Sequence, residues 1–214
     1  MSFGHHHGRE RDTYHHGNLR EALVGAARAL IAERGPAGFS FAEVARAAGV
    51  SPAAPYRHFR DRNALIIEVA RRGFDSFAAD LARAWKSGQP DPWRAFEACG
   101  KAYLAFARRE PAYYAAMFET GFVLEDDRAL AEAGDRAFAV LLQATELLCT
   151  RIPKPDRPPP RMVALHIWAL AHGVASLFVR NANAARRRLP MNPEDLLEAG
   201  VLIYLRALGV GAGK

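Results

Sequence analysis

An all-α protein is what this sequence predicts, and three observations predict it. Apolar residues recur at intervals of three and four along most of the chain, the period of one helix face. No stretch alternates apolar and polar residues at period two, as a half-buried strand would. The apolar segments are also bounded by helix punctuation, with Ser or Asp before several of them and Gly or Pro after.

The elements follow in order. Residues 17–34 form an amphipathic pattern, with Leu19, Leu23, Ala26, Ala27 and Leu30 on one face, and Gly35-Pro36 stops it. Before it, Tyr14-His15-His16-Gly17 and Arg20 sit at a helix start, where free N–H groups suit either a bound phosphate or a solvated cap. Ser40-Phe41-Ala42-Glu43 is a capping box that opens a short helix over 41–48, and Gly49 suits the left-handed position after it. Ser51 caps a second short segment with Pro52 in its first turn. Pro55 is read as one more residue whose N–H lacks an intrahelical acceptor, so the spacing predicts a helix of about two turns. Asp61 caps a long helix over 62–86, carrying Leu65, Ile66, Val69, Phe74, Phe77 and Leu81, which Ser87-Gly88-Gln89-Pro90 ends. Helices follow at 92–108, 111–121 and 126–151, then a proline-rich connector over 153–160, then helices at 161–181 and 193–208. Glu125-Asp126-Asp127 reads as a helix N-terminal turn favoured by the macrodipole.

Half of the 214 residues are hydrophobic, enough for a sizeable core, and disorder is not the expectation. The formal net charge of +6 favours anionic partners such as nucleic acid, a membrane surface or an acidic ligand. Cys99 and Cys149 lie in apolar helical contexts with no CxxC spacing, which argues for a reducing cytosol and against a disulfide framework or zinc knuckle. No signal-peptide pattern is visible in MSFGHHHGRERD. The apolar run 162–179 reaches membrane-spanning length, but His166, His172, Gly173 and Ser176 favour a buried helix, so no membrane is expected. His5-His6-His7, native or added for purification, is read as an adventitious metal binder on a mobile arm; no metal site and no cofactor are expected. GxSxG, HExxH, Walker and Rossmann patterns are all absent, so an enzyme is not expected.

Helix, glycine turn, short helix is the helix-turn-helix arrangement, whose second member must fit a major groove about 12 Å wide. Pro52, Ala53 and Ala54 give it a slim face, and Tyr56, His58 and Arg62 supply polar groups where phosphates would lie. Phe59 points the other way and joins Val44, Ala48 and Val50. Residues 17–69 resemble the DNA-binding domain of the tetracycline-repressor (TetR) family. The residues carrying the likeness are Phe41-Ala42-Glu43-Val44-Ala45, Ala48-Gly49-Val50-Ser51, Tyr56-Arg57-His58-Phe59, and Arg62 before Leu65. The resemblance implies phosphate binding by Tyr56 and His58, and Arg62 stands where the family commonly has a phosphate-binding lysine. The family often has Lys, Gly and Thr where this chain has Pro52, Ala53 and Ala54. Bidentate base contacts are therefore not expected there. Thymine-methyl contacts from alanine are, with Arg57, Ser40 or helix shape supplying the rest.

The resemblance implies three parts: a flexible arm over 1–13, a helix-turn-helix domain over 14–62, and a helical regulatory and dimerisation domain over 63–214. Aromatic residues crowd the last part. Phe77, Phe96, Tyr103, Phe106, Tyr113, Tyr114, Met117 and Phe118 are candidate ligand-binding residues, together with Trp168 and His172. Trp168, His172 and Gly173 resemble the regulatory subtype named for a Trp-His-Gly signature. His172 reads either as a ligand contact or as a satisfied core histidine, and Gly173 as a place where another helix approaches closely. The last two helices suit a homodimer, presenting two recognition elements to a pseudo-palindromic operator about 34–36 Å apart. Arg186-Arg187-Arg188 is read as a solvated loop. The resulting expectation is a cytoplasmic DNA-binding regulator, a repressor released from double-stranded DNA by a small apolar or aromatic effector. An effector entering among helices 62–122 would shift the long helix that starts at Arg62. An effector-independent DNA binder and a small helical enzyme are the alternatives.

Overall fold

The computed structural model describes residues 9–179 and 192–209, and the side chains from residue 19 onward with the exceptions of Glu125 and Val179. His5-His6-His7, Arg186-Arg187-Arg188 and the side chains of Tyr14, His15 and His16 lie outside the described residues. The described residues contain helices and turns and no strand. The helices are α1 (Arg9–Arg34), α2 (Phe41–Ala47), α3 (Arg62–Trp85), α4 (Pro92–Arg109), α5 (Pro111–Phe118), α6 (Arg128–Cys149), α7 (Pro160–Val179) and α8 (Pro193–Ala207). The first of them starts at Arg9, upstream of the expected Gly17.

The chain forms two compact units, the first comprising residues 1–72 and 112–122 and the second residues 73–111 and 123–214. The division falls inside α3, and α5 belongs to the first unit although both its chain neighbours belong to the second.

In the first unit the core gathers Leu23, Val24, Ala27, Val44, Leu65, Ile66 and Val69, all 3% exposed or less. On α1 the buried stripe shares Leu23, Ala27 and Leu30 with the face the sequence marks, but it takes in Val24 and Ile31 and leaves Leu19 and Ala26 half-buried. Glu68 sits against this core, 8% exposed, and accepts hydrogen bonds from Arg20 of α1 and from Arg71 and Arg72 of its own helix. Burial alone would push its carboxyl up, but the Arg71, Arg20 and Arg72 hydrogen bonds outweigh it and hold the group at about 2. Arg72 also reaches Glu21 with both terminal nitrogens, at 2.6 Å each. Tyr113 of α5 lies under the Arg28 guanidinium, 4.5 Å from ring centroid to carbon.

In the second unit α6 packs on α7, α7 on α8, and α4 on all of them. Asp91, Asp127 and Asn192 cap α4, α6 and α8 by accepting from the backbone N–H three residues on, at 3.0, 2.9 and 2.7 Å. Of the acidic run expected as the first turn of a helix, only Asp127 serves α6, as its N-cap; Glu125 and Asp126 lie in a 3₁₀ turn over Leu124–Asp126 that precedes it. Cys99 is buried, and desolvation pushes its thiol up to about 12; it behaves as a small hydrophobe.

Candidate nucleic-acid interface

Two turns fix the reading element. At the end of α1, Gly35 adopts φ +76° and its N–H donates to the Ile31 carbonyl at 2.9 Å. At the end of α2, Gly49 adopts φ +70° and donates to Arg46 at 3.1 Å, while Val50 donates to Ala45 at 2.9 Å. That pair of bonds is a complete Schellman motif, and it turns the chain sharply into Ser51. Between the two turns Ser40 and Glu43 close the predicted capping box, with Ser40 N–H to Glu43 Oε2 at 2.7 Å and Glu43 N–H to Ser40 Oγ at 3.3 Å. The Ser40 N–H, the Ser40 hydroxyl and then Arg34 hold the Glu43 carboxyl down at about 2.

The segment after Ser51 differs from expectation. It is not a two-turn α-helix but a tight turn followed by a 3₁₀ helix over Pro55–Arg57. The cause is Pro55. Counting from the Ser51 cap, it is the first position whose N–H would bond the cap carbonyl, so proline removes the bond that would start the helix. The Ser51 carbonyl instead accepts from Ala54 at 3.0 Å, an i to i+3 bond, and Arg57 donates to Ala54 at 3.2 Å. His58 and Phe59 both donate to Pro55, at 2.9 and 3.0 Å.

This tight element displays a short outward surface. Pro52, Ala53, Tyr56 and Arg57 are exposed, Ala54 is half-buried, and Pro55 is buried. Tyr56 is 62% exposed, yet its ring meets Phe41 edge-on at 4.9 Å, so the phenol is aimed rather than loose. His58 is half-buried, and Ser40 is exposed at the N-cap of α2. Phe59 is buried, as expected, beneath the Arg20 guanidinium at 5.0 Å; of the residues expected to join it, Val44 is fully buried while Ala48 and Val50 are half-buried. Arg62 is half-buried. Its Nη2 donates to the Pro36 carbonyl, its guanidinium lies 4.7 Å from the Phe39 ring centroid, and its Nε is buried without a hydrogen-bond partner among the described residues. Arg46 and Arg60 are exposed cations on the same module that the motif reading passed over; basic residues next to the matched positions were the available signal.

The aromatic candidates divide between the two units. Tyr113, Tyr114, Met117 and Phe118 lie in the first, where Tyr114 and Met117 are buried. Phe77, Phe96, Tyr103, Phe106, Trp168 and His172 lie in the second. There the Tyr103 hydroxyl and His172 Nδ1 are 3.2 Å apart, Phe77 meets Tyr103 edge-on at 5.0 Å, and the Phe77 and Phe106 rings are tilted against each other at 4.9 Å. Trp168 and His172 are half-buried, whereas Phe106 is fully buried. No group of three or more metal-ligating side chains forms among the described residues.

A capped support helix, a left-handed glycine and a compact exposed turn define a helix-turn-helix DNA-binding module. Residues 23–69 match the model for bacterial regulatory proteins of the tetR family, and residues 96–203 match that for the tetracyclin repressor-like C-terminal domain. The chain belongs to the tetracycline-repressor family of DNA-binding transcriptional regulators.

Solved structures agree in fold. A protein of unknown function from Rhodococcus sp. RHA1 is 27% identical, with TM-score 0.73, over 96% of this chain and 98% of that one. PfmR, a TetR family transcriptional regulator from Thermus thermophilus, is 18% identical, with TM-score 0.61, over 90% of this chain and 99% of that one. The fatty acid degradation regulator FadR from Bacillus halodurans is 14% identical, with TM-score 0.64, over 90% and 95%. No curated protein matched the chain.

Proposed function

We propose that this regulator is a repressor that binds a pseudo-palindromic operator as a homodimer and is released by a small apolar or aromatic effector. The observation that carries the DNA-facing part is the turn from Pro52 to Arg57, exposed at Pro52, Ala53, Tyr56 and Arg57, with Tyr56 braced on Phe41. Pro52, Ala53 and Ala54 carry no side-chain hydrogen-bond donor or acceptor, so sequence is read there by apolar contact and by DNA shape. Tyr56 and Arg57 take phosphates or base edges and exposed Arg46 adds positive charge, whereas Arg60 is paired with Asp61 at 2.9 Å and the Nε2 of half-buried His58 is shut off from solvent, against the phosphate contact expected of it.

The homodimer reading rests on the outer face of α7. Met162, Leu165, Leu170 and Leu177 are 43, 43, 38 and 56% exposed, and they recur along one side of the helix. Ile203 of α8 is 70% exposed. By length and composition Pro160–Phe178 could also cross a membrane. Family membership favours a second copy of the chain as its cover and a cytoplasmic protein. Gly173 lies exposed on this face with nothing within 4 Å of where a Cβ would stand, so no neighbour among the described residues requires a glycine. A close helix from a partner would.

The effector is proposed to meet the half-buried His172 and Trp168 beside Tyr103 and Phe77 in the second unit. Trp168, His172 and Gly173 are also what supports the Trp-His-Gly subtype. No catalytic role is proposed for any residue.

A titration of the protein with DNA from upstream of its own gene, at two salt concentrations, tests the reading. Binding that weakens steeply with salt, and weakens further with an aromatic or apolar compound that raises the melting temperature, is the expected outcome. Binding insensitive to salt rejects the phosphate contacts. A stabilising compound that leaves DNA affinity unchanged rejects the effector.

A further inference from the structure

We propose that Arg62 is a positioning residue that clamps the loop between α1 and α2, rather than a phosphate contact; the proposal rests on the reading that this module binds DNA. The loop, residues 35–40, ends on the N-cap of the support helix, so its conformation sets where α2 and the exposed turn stand. It is short of backbone bonds of its own. Gly38 donates to Gly35 at 3.2 Å, and Pro36 has no N–H to give. The Pro36 carbonyl is taken by Arg62, and the buried Phe39 ring lies against the same guanidinium at 4.7 Å. Gly38 runs so close to α1 that a Cβ there would stand 2.3 Å from the Arg34 carbonyl oxygen. The loop is therefore pressed between α1 and the first residue of α3, with Arg62 as the wedge.

The guanidinium chemistry argues for the clamp. Its central carbon lies over the Phe39 ring, one terminal nitrogen is committed to Pro36, and Nε is sealed from solvent. A bidentate phosphate contact through Nε and Nη2 needs those donors turned outward. Lysine supplies the same charge as a point, without the plane or the fork, so it could replace a phosphate contact and could not replace this wedge.

The test uses R62K and R62Q in the full chain. Amide hydrogen exchange on the free protein is read at Gly38 and Ser40, whose N–H groups bond Gly35 and Glu43. In R62K their protection is expected to fall at least about tenfold while that of Val44 and Leu65 holds. Unchanged protection overturns the clamp. In parallel, binding to a mixed-sequence duplex of about three helical turns is followed against salt. R62Q is expected to bind several-fold more weakly with the wild-type salt slope. A slope shallower by about 0.9 marks a lost phosphate contact and also overturns the proposal. If the wild-type protein ignores the duplex, the DNA-binding reading fails, and the exchange result alone decides the clamp.

Discussion

Glu68 shows how much a single buried carboxylate can organise. It joins α1 to α3 through Arg20, and Arg20 in turn covers Phe59 at the end of the reading element. Because its folded value of about 2 lies below the ordinary 4.5, the unfolded chain takes up the proton first. Its contribution is complete above pH 4.5 and is lost as pH falls from there through about 2. E68Q is expected to cost about 2 kcal/mol near neutral pH, with the gap to wild type narrowing across that acid window. Urea midpoints measured at several pH values check this, and a gap independent of pH rules it out. Tyr56 is the opposite case. At 62% exposed it does little for the core, so Y56A is expected to change stability by less than about 0.5 kcal/mol and to weaken DNA binding several-fold. Calorimetry beside a DNA titration separates the two.

At the scale of elements, Gly49 and Pro55 carry the most information. A Cβ at Gly49 would meet nothing within 4 Å, yet φ is +70°, so the cost of G49A is conformational alone. It is expected to be about 1–2 kcal/mol, with weaker DNA binding as the turn relaxes. Gly25 is the control, exposed in mid-helix with the same open space and no positive φ. G25A is expected to stabilise by about 0.5–1 kcal/mol. Equal effects at the two glycines would refute this account of the turn. Capping box, Schellman turn and Asp61 cap were all legible in the sequence because each depends on residues within five positions of one another. The same local counting, taken one position too far at Pro55, predicted an α-helix where a 3₁₀ turn stands.

For the whole molecule, the decisive question is what covers the outer face of α7. L165E is expected to give a folded monomer at micromolar concentration, by light scattering, with DNA affinity reduced at least about tenfold because two half-sites are no longer engaged together. G173A separates a partner helix from a bare face. In a monomer it should stabilise α7 by about 0.5–1 kcal/mol, and in a dimer with a close crossing it should weaken self-association. Self-association unchanged by both substitutions would remove α7 as the dimer face, and a wild-type monomer at micromolar concentration would remove the homodimer proposal.

Because periodicity and capping act through neighbours in the chain, sequence by itself determined most of the helices, several of their caps and the helix-turn-helix signature, though not the 3₁₀ form of the segment after Ser51 or the start of α1. It also marked Phe59 as buried and Tyr56 as its outward counterpart. Only tertiary structure decided which cations serve the protein and which face outward. Arg20 and Arg62 look alike in sequence to Arg46 and Arg57, yet the first two are held by Glu68, Pro36 and the rings of Phe59 and Phe39, while the others stand exposed. It likewise assigned α5 to the first unit, under Arg28. A guanidinium finds its partner through space, between residues as far apart as Arg20 and Glu68, and no local spacing records that choice.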